Sequence, residues 1–260
     1  MKIQFIVVGW HYHQQEFYEG LKELENTNQE INVFWSCHKE PTEYIKDNFN
    51  YKLFPNVGEE FVAYQQAIDY LSLEDDTICF FIHDDVIIKN WEFINICVKG
   101  LTENNNLKFL GNCLNYPLPS FDPTEVYAPM GIKEEFDNKT VTDYAQDETQ
   151  KWFDKKLAPV MVIRGSFICC KYSDLKAIYG FEPRKEAWVG PKWSDEYQTY
   201  CYRGAKGLGK FGNMFMFMFS YKINRVFGPQ CISYLSNRYL DSDYIYEMGR
   251  GEIDPNNPML

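Results

Sequence analysis

Apolar residues occur along this chain in short dense runs, separated by stretches where they recur at helical spacing. Residues 2 to 8, KIQFIVV, form a β-branched run, and in QQEFYEGLKELEN behind it Phe17, Leu21 and Leu24 fall on one helical face. The chain therefore opens strand, loop, helix. EINVFWSC and YKLFPNV read as further strands, and EEFVAYQQAIDYLS as a helix with Phe61, Ala67, Ile68 and Leu71 on one stripe. TICFFI reads as a strand buried on both faces, WEFINICVKGL as a helix and LKFLGNCL as another strand. Strands alternating with helices over short connections predict an α/β fold: a mostly parallel sheet covered on both sides.

The alternation breaks after Leu114. Residues 115 to 131 hold four prolines, and seven acids crowd residues 133 to 156, the composition of a surface excursion. Order resumes in APVMVIRGSFICCKYSDLKAIYGFEP, a strand followed by a short helix with Ser173 or Asp174 as N-cap. KWSDEYQTYCYRGAKG reads as a helix capped by Ser194 and stopped near Gly207, and the alternating Met and Phe at 214 to 219 read as a core strand.

Composition narrows the function classes. The 260 residues carry a formal net charge of −11, which disfavours attraction to nucleic-acid phosphates. The eight cysteines show no CxxC pair and no metal-finger spacing, and most lie in apolar runs, so they read as reduced core thiols. The N-terminal apolar run is too short for a signal peptide, and no stretch approaches the roughly 20 apolar residues needed to span a bilayer. A cytoplasmic protein is expected. One segment departs from the acidic whole. From Tyr197 to Leu240 there is no Asp or Glu, while Arg203, Lys206, Lys210, Lys222, Arg225 and Arg238 all fall there, a stretch suited to meeting an anion or an anionic membrane surface. In the plain reading its lysines are solvated.

The chemistry concentrates at FFIHDDV. Ligands of open α/β sheets bind beyond the carboxyl ends of the strands, where strand order switches, and His83, Asp84 and Asp85 stand at such an end. In an extended strand His83 and Asp85 share a face and Asp84 takes the other. A carboxylate there can hold Mg²⁺ or Mn²⁺, hard cations that keep water and phosphate oxygens in their shell. Asp85 is the candidate metal ligand, with His83 beside it. The alternative is that Asp84 and Asp85 form an Asx-turn and cap the helix that starts near Asn90.

Taken in order, FPNVGEEFVAYQQAIDYL, DDTICFFIHDDV, IKNWEFI, VIRGSFICCKYSDLKAIYGFEP and WSDEYQTYCYRGAKG resemble the motif series of GT-A glycosyltransferases, particularly inverting family 2. The likeness spans roughly residues 2 to 207. It implies a single GT-A (Rossmann-like) domain over 1–260, with a mixed, mostly parallel sheet, a nucleotide-sugar-binding half at 1–114 and an acceptor-binding half at 115–260. In this likeness His83 stands where the first acid of a D-x-D motif would be, and Asp85 is its metal-holding last acid. Gly9, His11, Asp84, Asp85 and Arg203 are then donor-binding, Asp195 or Glu196 is the general base, and Trp188 and Trp193 offer faces to an acceptor sugar. The implied partners are a nucleotide-diphosphate sugar such as a UDP-sugar and a glycan or lipid-linked glycan, the latter reached by peripheral contact with the inner face of a membrane. Two segments depart from the family: VVGWHYH replaces the usual first loop, and FWSCHKE lacks the acid that holds uracil or ribose. A noncatalytic sugar- or nucleotide-binding module is the competing reading, and a nucleotidyltransferase a further one. Donor hydrolysis separates the first two, and the single glycine and absence of Lys or Arg in GWHYHQQ speak against the third.

Overall fold

The computed structural model describes residues 1–55, 59–116, 135–136, 139–140, 160–181, 219–220, 222–223, 226–228, 231–236 and 245–247. Its first half follows the apolar pattern, with α2 and β5 in addition to the elements that pattern predicts: β1 (Ile3–Gly9), α1 (Gln15–Thr27), β2 (Ile31–Cys37), α2 (Glu43–Asn48), β3 (Asn50–Leu53), α3 (Glu59–Tyr70), β4 (Ile78–His83), β5 (Val86–Ile88), α4 (Phe93–Glu103) and β6 (Phe109–Tyr116). A two-strand ribbon, β7 (Glu135–Phe136) with β8 (Lys139–Thr140), precedes β9 (Val160–Lys171) and α5 (Tyr172–Ala177); β10 (Ile232–Ser236) and β11 (Ile245–Glu247) come last.

Seven strands form the main sheet in the order β10-β6-β9-β4-β1-β2-β3. β3, β2, β1 and β4 run parallel, β9 lies antiparallel between β4 and β6, and β10 is parallel to β6. This is the mostly parallel sheet with flanking helices that the alternation predicts, mixed as the family resemblance implies. β1 and β4 are buried on both faces, which is why their sequences are continuous apolar runs. On one face, Phe5, Val7, Phe80, Ile82 and Phe167 join Phe17, Tyr18 and Leu21 of α1 and Phe93, Ile94 and Cys97 of α4 in one core. On the other, Phe81 meets Tyr64 of α3 with ring centroids 5.1 Å apart and Phe181 at 4.7 Å. Each such ring fully buried is worth roughly 1.5–3 kcal/mol.

Three details differ from expectation. The helix after β9 begins at Tyr172, with Lys171 at the N-cap and no side-chain cap, because β9 keeps pairing with β4 through Lys171 and Ile78. Asp174 instead lies 3.7 Å from the Lys108 ammonium. Phe219, the last residue of the Met and Phe alternation, has helical backbone and packs on Phe181 at 4.9 Å; residues 214 to 218 lie outside the described residues. Lys222 is not solvated: it is buried and donates to the Gly180 carbonyl at 2.7 Å. The seven described cysteines are free and buried, as read, and Cys201 lies outside the described residues.

Candidate functional site at the end of strand four

The chain leaves β1 toward β2 and β3 on one side, while β4 pairs with β1 on the other, so strand order switches between β1 and β4. In open α/β sheets ligands bind at such a join, in the crevice beyond the carboxyl ends of the strands. The β1–α1 loop, Trp10 to Gln14, and the β4–β5 turn, Asp84 and Asp85, meet at that join, hydrogen-bonded directly to each other.

Asp84 is fully buried and turned toward the loop. Its Oδ2 accepts the backbone N–H groups of Trp10 at 2.9 Å, His11 at 2.7 Å and Tyr12 at 2.8 Å. Three successive donors converging on one oxygen form an anion-binding nest, here filled by the protein's own carboxylate. Burial raises the Asp84 carboxyl above its ordinary value and outweighs the N–H groups of Tyr12 and Trp10, which lower it. Gln14 ties the same loop to the turn by donating to the carbonyls of Asp84 at 3.0 Å and Val86 at 3.3 Å.

The nest needs an unusual local backbone. Tyr12 sits at φ 57°, in the left-handed region, and its hydroxyl donates toward the carbonyls of Gly9 at 3.1 Å and Lys39 at 2.8 Å. Its ring lies so close to the end of β1 that a Cβ on Gly9 would fall 2.6 Å from it. Gly9 therefore makes room for Tyr12.

β4 stays beside β1 as far as Asp84, whose N–H donates to the Val8 carbonyl at 3.2 Å. Alternation then sends His83 and Asp85 to the opposite face from Asp84, the face covered by α3. His83 Nδ1 lies 3.5 Å from Asp85 Oδ1, and the Tyr64 ring stands 6.1 Å from the His83 ring. Asp85 Oδ1 is buried and has no hydrogen-bond partner among the described residues. Burial works against ionisation of Asp85, but the neighbouring His83 and His11 outweigh it and hold the carboxyl below its ordinary value.

These residues fit a divalent cation. An ionised carboxylate, buried and with only the His83 imidazole 3.5 Å from its Oδ1, is a hard donor beside a nitrogen donor. No third His, Cys, Asp or Glu joins them in a metal-binding group among the described residues, so the protein would supply part of the shell and phosphate and water the rest.

On the β9 side of this corner, α3 meets a bulge. Between the pairs Gly111 with Ile168 and Cys113 with Ile163, β9 spends more residues than β6, and Arg164, Gly165 and Ser166 lie in that excursion. The Tyr64 hydroxyl donates to the Gly165 carbonyl at 2.7 Å. One turn earlier on α3, Glu60 lies against the Gly165 α-carbon, where an added Cβ would be 2.2 Å from its Cγ and 2.5 Å from its Oε1. On the β2 side, His38 Nδ1 lies 3.3 Å from the Pro55 carbonyl oxygen and its Nε2 3.3 Å from Ser36 Oγ.

Of the residues singled out from sequence, Gly9, His11, His83, Asp84 and Asp85 come together at this crevice. His11 is half-buried in the loop, 6.2 Å from the His13 ring. Asp195, Glu196, Arg203, Trp188 and Trp193, with Lys206 and Lys210, lie outside the described residues. Sequence reasoning passed over Tyr12, Gln14, Glu60 and Tyr64. Only Glu60 and Tyr64 carried a signal, as part of the FPNVGEEFVAYQQAIDYL stretch.

No protein-family model matches the chain, and no curated protein matches it in sequence. Solved structures do. A mannosyltransferase from Pyrobaculum calidifontis, in complex with GDP-Man and Mn²⁺, is 12% identical with a TM-score of 0.39, over 69% of this chain and 47% of that one. Glucosyl-3-phosphoglycerate synthase from Mycobacterium tuberculosis, in complex with Mn²⁺, UDP-Glc and phosphoglyceric acid, is 12% identical with a TM-score of 0.47, over 91% of this chain and 69% of that one. The chain thus spans about half the length of the first of these and about two thirds of the second.

Proposed function

We propose that this protein is an inverting glycosyltransferase that moves a sugar from a nucleotide-diphosphate donor, a UDP-sugar, to a glycan or lipid-linked glycan acceptor. The observation that carries the reading is the Asp85 carboxylate: buried, yet held below its ordinary value by the His83 imidazole 3.5 Å from its Oδ1, at the switch point of an α/β sheet. Asp85 and His83 would hold Mn²⁺ or Mg²⁺, which when bound supplies charge to offset that of a departing diphosphate.

The chain's own groups divide the remaining work. The Trp10–Gln14 loop, pinned on Asp84, lines the side of β1 and β2, where His11 and Gly9 border the nucleoside. Asp195 or Glu196 takes the proton from the acceptor hydroxyl, whose oxygen attacks the anomeric carbon opposite the breaking bond to the diphosphate. Arg203 adds positive charge beside that diphosphate, and Trp188 and Trp193 present flat faces to the acceptor. The whole chain, 1–260, acts as one domain, at work in the cytoplasm or at the inner face of a membrane. No helix among the described residues is long and apolar enough to cross a membrane.

Thermal melting against UDP, GDP, dTDP and CMP, each with and without Mn²⁺, tests the reading, since a ligand that binds only the native state raises its stability by about 2.7 kcal/mol at a hundred times its Kd. A Mn²⁺-dependent shift with one diphosphate, lost in Asp85→Ala, is the expected result. No shift with any nucleotide at millimolar concentration would sink it.

A further inference from the structure

We propose that Glu60 recognises the transferred sugar, accepting hydrogen bonds from its hydroxyl groups; the inference rests on the transferase reading above. It starts from the order of strands. Across the crevice the strand ends run β2, β1, β4, β9. If the nucleoside lies over β1 and β2 and the diphosphate meets Asp85 at the end of β4, the next group along the donor lies on the β9 side. That group is the sugar.

Among the described residues, Glu60 is a carboxylate that the fold brings to that side. It projects from the first turn of α3 onto Gly165 in the β9 bulge, one helical turn before Tyr64, which bonds to the Gly165 carbonyl and leans on His83. The chain from Glu60 through Gly165 and Tyr64 to His83 and Asp85 is contiguous. Glycine at 165 leaves a cradle that any larger residue would fill with its own Cβ, at 2.2 Å from the Glu60 Cγ. The Glu60 side chain is only half-buried and has no ion pair or hydrogen bond with another described residue. A carboxylate so placed is acceptor-only and can take two hydroxyl donors at once, which suits the vicinal hydroxyls of a pyranose. It also repels a second phosphate, so Glu60 favours a neutral sugar beyond the diphosphate.

The test compares nucleotide with nucleotide sugar. Dissociation constants are measured with Mn²⁺ for UDP, UDP-glucose, UDP-galactose, UDP-N-acetylglucosamine, GDP and GDP-mannose, on the wild type, Glu60→Gln, Gly165→Ala and Asp85→Ala. In Glu60→Gln, affinity for the bare diphosphate stays at the wild-type value, while the preferred nucleotide sugar binds about 10- to 100-fold more weakly, the scale of hydrogen bonds to a charged group. Gly165→Ala, which pushes Glu60 out of its cradle, reproduces that selective loss. Asp85→Ala weakens nucleotide and nucleotide sugar together. The proposal is overturned if Glu60→Gln weakens bare nucleotide and nucleotide sugar equally, or leaves every nucleotide sugar unchanged. Wild-type protein that binds none of the six overturns the transferase reading and this proposal with it, whereas failure at Glu60 alone leaves that reading standing.

Discussion

Replacing Asp84 should unpin the loop that borders the site, and the size of the effect follows from the nest. One buried oxygen takes three backbone N–H donors at 2.7, 2.8 and 2.9 Å. Hydrogen bonds to a charged acceptor contribute about 1.5–3 kcal/mol each, but three on one oxygen do not add, and the burial of the carboxylate opposes them. Asp84→Ala leaves three neutral donors facing a cavity and costs about 2–4 kcal/mol, less than the sum of about 1–3 kcal/mol per unsatisfied group because the loop relaxes. Asp84→Asn keeps an acceptor oxygen of the same shape, and because burial disfavours the charge it removes, it costs far less than Asp84→Ala, below about 1 kcal/mol. Urea unfolding at neutral pH reads both, with an unchanged m-value marking loss of native stability rather than a changed denatured state. Hydrogen exchange localises the effect: the amides of Trp10, His11 and Tyr12 should lose protection well beyond the global change. If Asp84→Ala costs less than about 0.5 kcal/mol, or those amides keep their protection, the nest does not hold the loop.

Other expectations are narrower. Gly165→Ala should cost about 1–3 kcal/mol by overpacking against Glu60, and most of that should vanish in a Glu60→Ala background; additive losses in the double-mutant cycle would place the strain elsewhere. Gly180, at φ 69° with its α-carbon against Gln65 Oε1, should tolerate alanine poorly, with a loss above about 1 kcal/mol by thermal denaturation. Burial holds His38 below the ordinary histidine value, although the Pro55 carbonyl raises it. The unfolded chain then takes up its proton first, so this residue costs stability as pH falls from about 6.5 toward its folded pKa, and His38→Gln should flatten the pH dependence there. Burial also pushes the thiols of Cys37 up to about 11 and of Cys79 and Cys231 to about 12, so alkylation at pH 8 followed by peptide mapping should find these three unmodified until denaturant is added.

Local rules reach only part of this. β1, β2 and β4 were legible because burial on both faces writes a continuous apolar run, and period-two alternation separated Asp84 from the face shared by His83 and Asp85. Alternation could not say what each acid meets. The partners of Asp84 lie more than seventy positions away, in a loop whose Tyr12 adopts a left-handed backbone that its residue type does not announce. Glu60 and Gly165 meet only because α3 crosses the bulge in β9, and a bulge leaves no periodic trace. Lys222 reads as a surface residue by type; its burial depends on the Gly180 carbonyl, which the fold brings within 2.7 Å. The likeness of the motif series was visible because it lies in order along the chain, whereas geometry across the crevice does not.

The antiparallel strand β9 decides how the protein can be divided. It lies between β4 and β6, although its residues come after both in the chain. A fragment ending at Leu114 would contain Asp85, the loop and most of the parallel strands, and would look from its composition like a separable unit. It would also leave β4 with a bare edge and β6 unpaired on both sides, since β10 is missing too, and would uncover the apolar side of Phe80 and Ile82, which Phe167 shields. Unpaired apolar edges of that kind join to other chains. The corner that bears the acids is therefore stitched shut by a strand from the far side of the long excursion, and a ribosome must deliver about 170 residues before that corner can stand by itself.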